Sequence, residues 1–173
     1  MRPSAFLLIA LALLSLSGCG YHTLSAATHL PPNIQTLAIP VFATRTEASG
    51  AETAMTEAVI REFATRTRFR VTADSGEDAD AVLHGTILKQ TTTPLTYNAA
   101  TQQSSSFIIT IVASVTLNAH DGKVLYENKN YVFREQYQST TNLPTFLDES
   151  PAAEERLSRE FARALVSDVL ESL

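Results

Sequence analysis

The segment Ser106–Ala119 constrains the fold more than any other part of the 173-residue chain. Phe107, Ile109, Ile111, Ala113, Val115 and Leu117 alternate there with Thr110, Ser114 and Thr116. A period of two is the signature of a strand with one face on a core and one face toward water. Ile108 and Val112 fall on the wet face. They read as a partner surface or as ordinary scattered apolar residues. Asp121-Gly122 follows as a hairpin turn, and Lys123–Tyr137 reads as the returning strand. A long antiparallel pair of this kind needs other elements to cover its apolar side.

Two amphipathic helices supply the cover. The first spans Ala51–Thr67, with Met55, Val59, Ile60 and Phe63 on one stripe and the pairs Glu57–Arg61 and Glu62–Arg66 on the wet side. Ser49 and Glu52 have the spacing of a capping box. The second begins at Ser150-Pro151 and carries Leu157, Phe161, Leu165, Val169 and Leu173. Ile34–Phe42 and Asp80–Thr92 read as strands, and Phe69–Thr72 as a possible short one. Pro40 cannot donate to a ladder, so the first strand has an edge or a bulge there. Thr93–Ser105 and Gln138–Glu149 read as loops, low in charge and suited to partner contact. The chain is therefore expected to be α+β, in the order β-α-β-β-β-α. The sheet is mixed and four-stranded, with two helices packed on one face. The other face is left to solvent or a partner.

The N-terminus sets the compartment. Arg2 precedes an apolar run from Ala5 to Leu16, broken only by Ser15. The run is too short for a membrane span and has the form of a secretory signal. Leu16-Ser17-Gly18-Cys19 closes it and resembles the bacterial lipobox. That resemblance makes Leu16, Ser17 and Gly18 the recognition residues for signal peptidase II and Cys19 the lipidated residue, carrying palmitate-type acyl chains. Several such chains anchor a protein stably where one does not. Gly20, rather than aspartate, follows the cysteine and is similar to an outer-membrane sorting signal. The expected organisation is a signal peptide over 1–18, a lipid-anchored tether over 19–33 closed by Pro31-Pro32, and a single domain over 34–173.

Charge and chemistry exclude several functions. The formal net charge is −5, from 13 basic and 18 acidic residues, which argues against nucleic-acid binding. The only cysteine is Cys19, so neither an intrachain disulfide nor a thiol nucleophile is expected. His22, His29, His84 and His120 lack metal-ligand spacing. The acidic run Asp74, Glu77, Asp78 and Asp80 lacks the order of a calcium loop. No metal, cofactor or enzymatic activity is expected. Lys89, Lys123, Lys129 and Arg134 form a small cationic patch or simply solubilise sheet edges.

A family resemblance rests on these same residues. Cys19-Gly20-Tyr21-His22, then Leu30-Pro31 ahead of Thr36–Phe42, is similar to the lipopolysaccharide-assembly lipoprotein family LptE. Glu52, Thr56, Ala58, Val59 and Glu62-Phe63 resemble its first helix, and Ala79–Ile87 the strand after it. The resemblance implies a protein at the inner leaflet of the outer membrane that plugs the LptD β-barrel. It also implies help in barrel assembly and in lipopolysaccharide delivery to the cell surface. Lipopolysaccharide is a further partner by the same resemblance. The family's basic residues for it, however, have no counterpart in Thr91–Ser106, and Asp148-Glu149 occupies the second region. Within the two predicted loops, Tyr97, Asn98, Gln102 and Phe146 are the residues expected to meet the barrel. The Ile39-Pro40-Val41-Phe42 start is also similar to that of lipoprotein regulators of cell-wall synthesis and of secretion-pore subunits, which is the alternative reading.

Overall fold

The computed structural model describes residues 34–46, 50–74, 78–98, 103–140 and 147–172. Its strands are β1 (Thr36–Ala38), β2 (Ala43–Thr44), β3 (Arg70–Thr72), β4 (Ala81–Asn98), β5 (Gln103–Ala119), β6 (Val124–Thr140) and β7 (Leu147–Asp148). Helix α1 (Ala51–Arg66) follows β2, and α2 (Ser150–Ser172) ends the chain. The sheet order is β3-β1-β4-β5-β6-β7, with β2 also beside β4. β1, β3, β4 and β2 run parallel where they pair, and β4 through β7 pair antiparallel. The expected α+β class, mixed sheet and helix pair are all present. Among the described residues the strands number seven rather than four.

Local causes account for β2 and β3, while β7 lies within the expected loop Gln138–Glu149, where β6 runs on to Thr140 and Ser139–Thr140 pairs with Leu147–Asp148. Pro40 interrupts the first expected strand, so β1 pairs with Ala81–Val82 and β2 resumes beside Thr86–Ile87. The Phe42 N–H freed by that break donates to the buried Thr56 hydroxyl at 3.0 Å. The short segment Arg70–Thr72 does form a strand, as the outer neighbour of β1. The expected loop Thr93–Ser105 is mostly ladder, because β4 runs to Asn98 and β5 starts at Gln103. Threonine runs read as polar loop, yet β-branched side chains favour strands. Pro94 fits because β4 has no strand on its outer side there, so no ladder hydrogen bond is lost.

The hairpin turn is where Asp-Gly places it. Gly122 takes φ 84° and donates to the Ala119 carbonyl at 2.9 Å. At α1 the N-cap is Gly50, with Glu52 accepting from the Gly50 N–H at 3.0 Å. The expected capping box puts the N-cap at Ser49; the helix starts one residue later, and Glu52 bonds the Gly50 N–H instead. Ser49 lies outside the described residues.

One core lies between the sheet and the helices. Phe63, Met55 and Val59 of α1 and Leu157, Phe161 and Leu165 of α2 are fully buried against Leu37, Ile39, Leu83, Ile87, Ile111 and Val115. Phe161 is the hub. Its ring meets Phe42 at 6.0 Å, Tyr131 at 5.6 Å and Phe133 at 5.5 Å, all edge-on. Each such side chain contributes about 1.5–3 kcal/mol by leaving water.

Candidate functional site

With both helices on one face, no described element covers the opposite face of the sheet. The ladder register decides what that face shows. Val112 pairs with Val132 on one side and Lys89 on the other, and Ile108 pairs with Gln136 and Thr93. Thr110 links Thr91 to Arg134 in the next row. Val132 is 38% exposed, and Ile108 and Val112 are half-buried. Around them lie Thr110, Ser114 and Thr116, and Gln136, whose amide donates to the Ser106 hydroxyl at 2.8 Å. The surface is thus flat and hydroxyl-rich, with a short apolar seam and two cations at its margin. Of the four basic residues considered from sequence, Lys89 and Arg134 lie on this face, and Lys129 pairs with Glu127 at 3.2 Å.

The second feature is an overhanging β-arm. Helix α2 begins beside Gln138, where the Glu149 N–H donates to the Gln138 carbonyl at 3.2 Å. Ser106 pairs with both Gln138 and Thr96, so the rest of β4 and β5 extends beyond the helix. Thr92, Thr93, Pro94, Leu95 and Thr96 are all exposed, on both faces of the strand, and Leu95 is 49% exposed. Tyr97 and Asn98 sit on the last positions of β4, and Asn98 pairs with Gln103. Gln102 and Phe146 lie outside the described residues, as do Leu16, Ser17, Gly18 and Cys19. The strand ends flanking Gln102 and Phe146 share one end of the sheet, because Ser106 meets both Thr96 and Gln138.

Polar groups inside the fold hold it together rather than offer chemistry. Tyr131, 6% exposed, donates to Asp168 at 2.7 Å and bonds the Tyr126 hydroxyl. Burial first, then these bonds, push the Tyr131 phenol well above its usual range. Glu154 bonds the Gln90 amide at 3.3 Å, and burial raises its carboxyl pKa. Asp80 accepts from the Gln35 and Thr36 N–H groups at 2.9 and 2.8 Å and from the Thr36 hydroxyl at 2.8 Å. Those bonds, the Gln35 amide foremost, lower its pKa. Asp80 thereby clasps the chain where the domain begins. Among the described residues no group of three or more His, Cys, Asp or Glu is placed to hold a metal ion. No described helix is long and apolar enough to cross a membrane.

The open face and the arm are the surfaces this fold presents, and sequence comparison gives the family. The LptE family model, described as lipopolysaccharide-assembly, matches residues 34–171. The chain belongs to the LptE family. LptE proteins are non-enzymatic lipoproteins of lipopolysaccharide assembly, so this chain is an LptE-family assembly protein of the membrane-associated lipoprotein class. No curated protein matches it by sequence. Among solved structures, a candidate lipoprotein from Caulobacter crescentus CB15 is 12% identical, with a TM-score of 0.53 over 76% of this chain and 88% of that one. The protein CT253 from Chlamydia trachomatis is 13% identical, with a TM-score of 0.51 over 79% and 96%. XCC0632 from Xanthomonas campestris is 16% identical, with a TM-score of 0.50 over 82% and 90%. At these identities the likeness is one of fold. The LptE fold therefore positions two features that sequence periodicity left out, Val132 on the open face and the exposed arm.

Proposed function

We propose that this LptE-family protein is anchored through acylated Cys19 to the inner leaflet of the outer membrane. There it plugs an LptD-type β-barrel and assists its assembly for lipopolysaccharide transport to the surface. The observation that carries the reading is the uncovered sheet face, continuous with an arm exposed on both sides. A plug needs a rigid body with a hydroxyl-rich surface that fits a water-lined lumen. Strands of 17 and 18 residues give such a body a length of about 55 Å. Tyr97 and Asn98, at the end of β4, and the sequence-adjacent Gln102 and Phe146 are the residues proposed to meet the barrel wall.

The test is affinity purification of a C-terminally tagged form from detergent-solubilised membranes, with mass spectrometry of the co-purifying proteins. A stoichiometric outer-membrane barrel is the expected result. Photocrosslinkers at Tyr97, Phe146 and Val132 should then capture that barrel. Recovery of the protein alone, or with a cell-wall synthase, would overturn the plug reading and favour the regulator alternative.

A further inference from the structure

A cleft of about 500 Å³ lies at the corner of the sheet where the chain enters the domain, lined by Ile34, Gln35, Thr36, Arg68, Phe69 and Arg70. Its walls are fixed by the β1–β3 ladder, in which Thr36 pairs with Arg70 and the Arg70 N–H donates to the Gln35 carbonyl at 2.9 Å. Phe69 and Val71 pack on the core, so Arg68 and Arg70 project from the other side of the strand. Both arginines are exposed, and neither has an ion-pair partner among the described residues. Asp80 Oδ2 is already taken by the Gln35 and Thr36 amides and the Thr36 hydroxyl. Two free guanidiniums beside an apolar patch, in a chain of net charge −5, form a local recognition element for phosphate.

We propose that Arg68 and Arg70 bind the phosphate of an anionic phospholipid headgroup in the leaflet that holds the N-terminal acyl chains. The proposal rests on the reading of Cys19 as the anchor. Position selects the source of the phosphate, because the cleft opens beside Ile34, the residue to which the tether of residues 19–33 leads. On that reading of Cys19, this corner is the part of the domain that the tether brings first to the membrane surface. Binding there would set which end of the molecule faces the bilayer, a matter the tether alone leaves loose. Each arginine near an anionic surface strengthens binding about fivefold.

The experiment uses the acylated full-length mature protein in vesicles of phosphatidylcholine alone or phosphatidylcholine mixed with phosphatidylglycerol. Amide hydrogen exchange is read at residues 68–72. The expected result is exchange slowed about fivefold or more with phosphatidylglycerol, and loss of that slowing in the double variant Arg68→Gln, Arg70→Gln. Both side chains are exposed, so the variant keeps the fold. Equal exchange in the two vesicle types overturns the proposal. So does slowing that the double variant retains. Intact mass of the same preparation reports acylation of Cys19 separately, and the vesicles contain no barrel. A failed anchor, a failed plug and a failed headgroup contact are therefore told apart.

Discussion

At the scale of single residues, the Phe42 ring packs directly over the Cα of Gly85. The alternation Leu83, Gly85, Ile87 puts a glycine where an apolar side chain would be expected. The Phe42 ring fills that space, and a Cβ at Gly85 would fall within it. Glycine is there for close approach, not for an unusual backbone angle. Gly85→Ala should therefore destabilise the protein by about 1–3 kcal/mol, read as a lower midpoint in urea with unchanged slope. A variant as stable as the parent would show that Phe42 moves freely. Tyr131 makes a second residue-level prediction. Its phenol is held neutral by burial and by its bonds to Tyr126 and Asp168, so its folded pKa lies above the unfolded value of about 10. The stabilisation is complete below that pH and is lost as pH rises through the folded value. Thermal midpoints should fall more steeply above about pH 10 in the parent than in Tyr131→Phe. Equal slopes would remove Tyr131 as the cause.

At the scale of elements, bulges explain both what the sequence foretold and what it hid. Counting back from the Asp-Gly turn, where Asn118 pairs with Val124, would place Val112 opposite Asn130. Register shifts at Leu117/Asn118 and Ala113/Val115 move the partner to Val132. The total shift is two residues, so beyond both bulges Val132 keeps the face the unshifted register gives it, while between them Tyr126 and Asn128 move to the row of Leu117 and Val115. This is why the buried stripe of β5 was legible from alternation and the apolar seam was not. On β4 one irregularity between Ile87 and Lys89 changes the face instead. Lys89 then joins the open side, and Gln90 reaches Glu154 on α2. The β-α-β start, the hairpin and both helices follow from apolar periodicity and turn residues. The arm did not, because its threonines carry strand propensity without an apolar stripe to mark it. If the open face meets the barrel, Val132→Asp should cost under about 1 kcal/mol of stability, since the side chain is 38% exposed. Barrel recovery in the affinity purification should nonetheless fall severalfold. Full recovery would move the interface from the open face to the arm.

At the scale of the whole molecule, the fold separates two ends. Arg70, Thr36, Asp80 and Ala81 share the rows nearest the start of the domain, and the hairpin after Ala119 lies there too. β4 runs from that end to the arm, about 55 Å away. The tether, residues 19–33, spans at most about 50 Å when fully extended. If Cys19 is the anchor, the entry corner stays within about 50 Å of the bilayer, and the headgroup contact proposed for Arg68 and Arg70 would turn the arm away from it. Among the described residues the packed core runs from Ile34 to Val169. Replacing the cysteine should therefore separate folding from location. In Cys19→Ala the thermal midpoint of the purified domain should match that of the parent, because every packed layer is intact. Cell fractionation should move the protein from membranes to the periplasmic soluble fraction. Barrel recovery should drop with it, since the tether turns encounter into an intramolecular search at high effective concentration. Unchanged membrane fractionation would refute the anchor. Altered stability would show instead that residues before Ile34 pack on the domain.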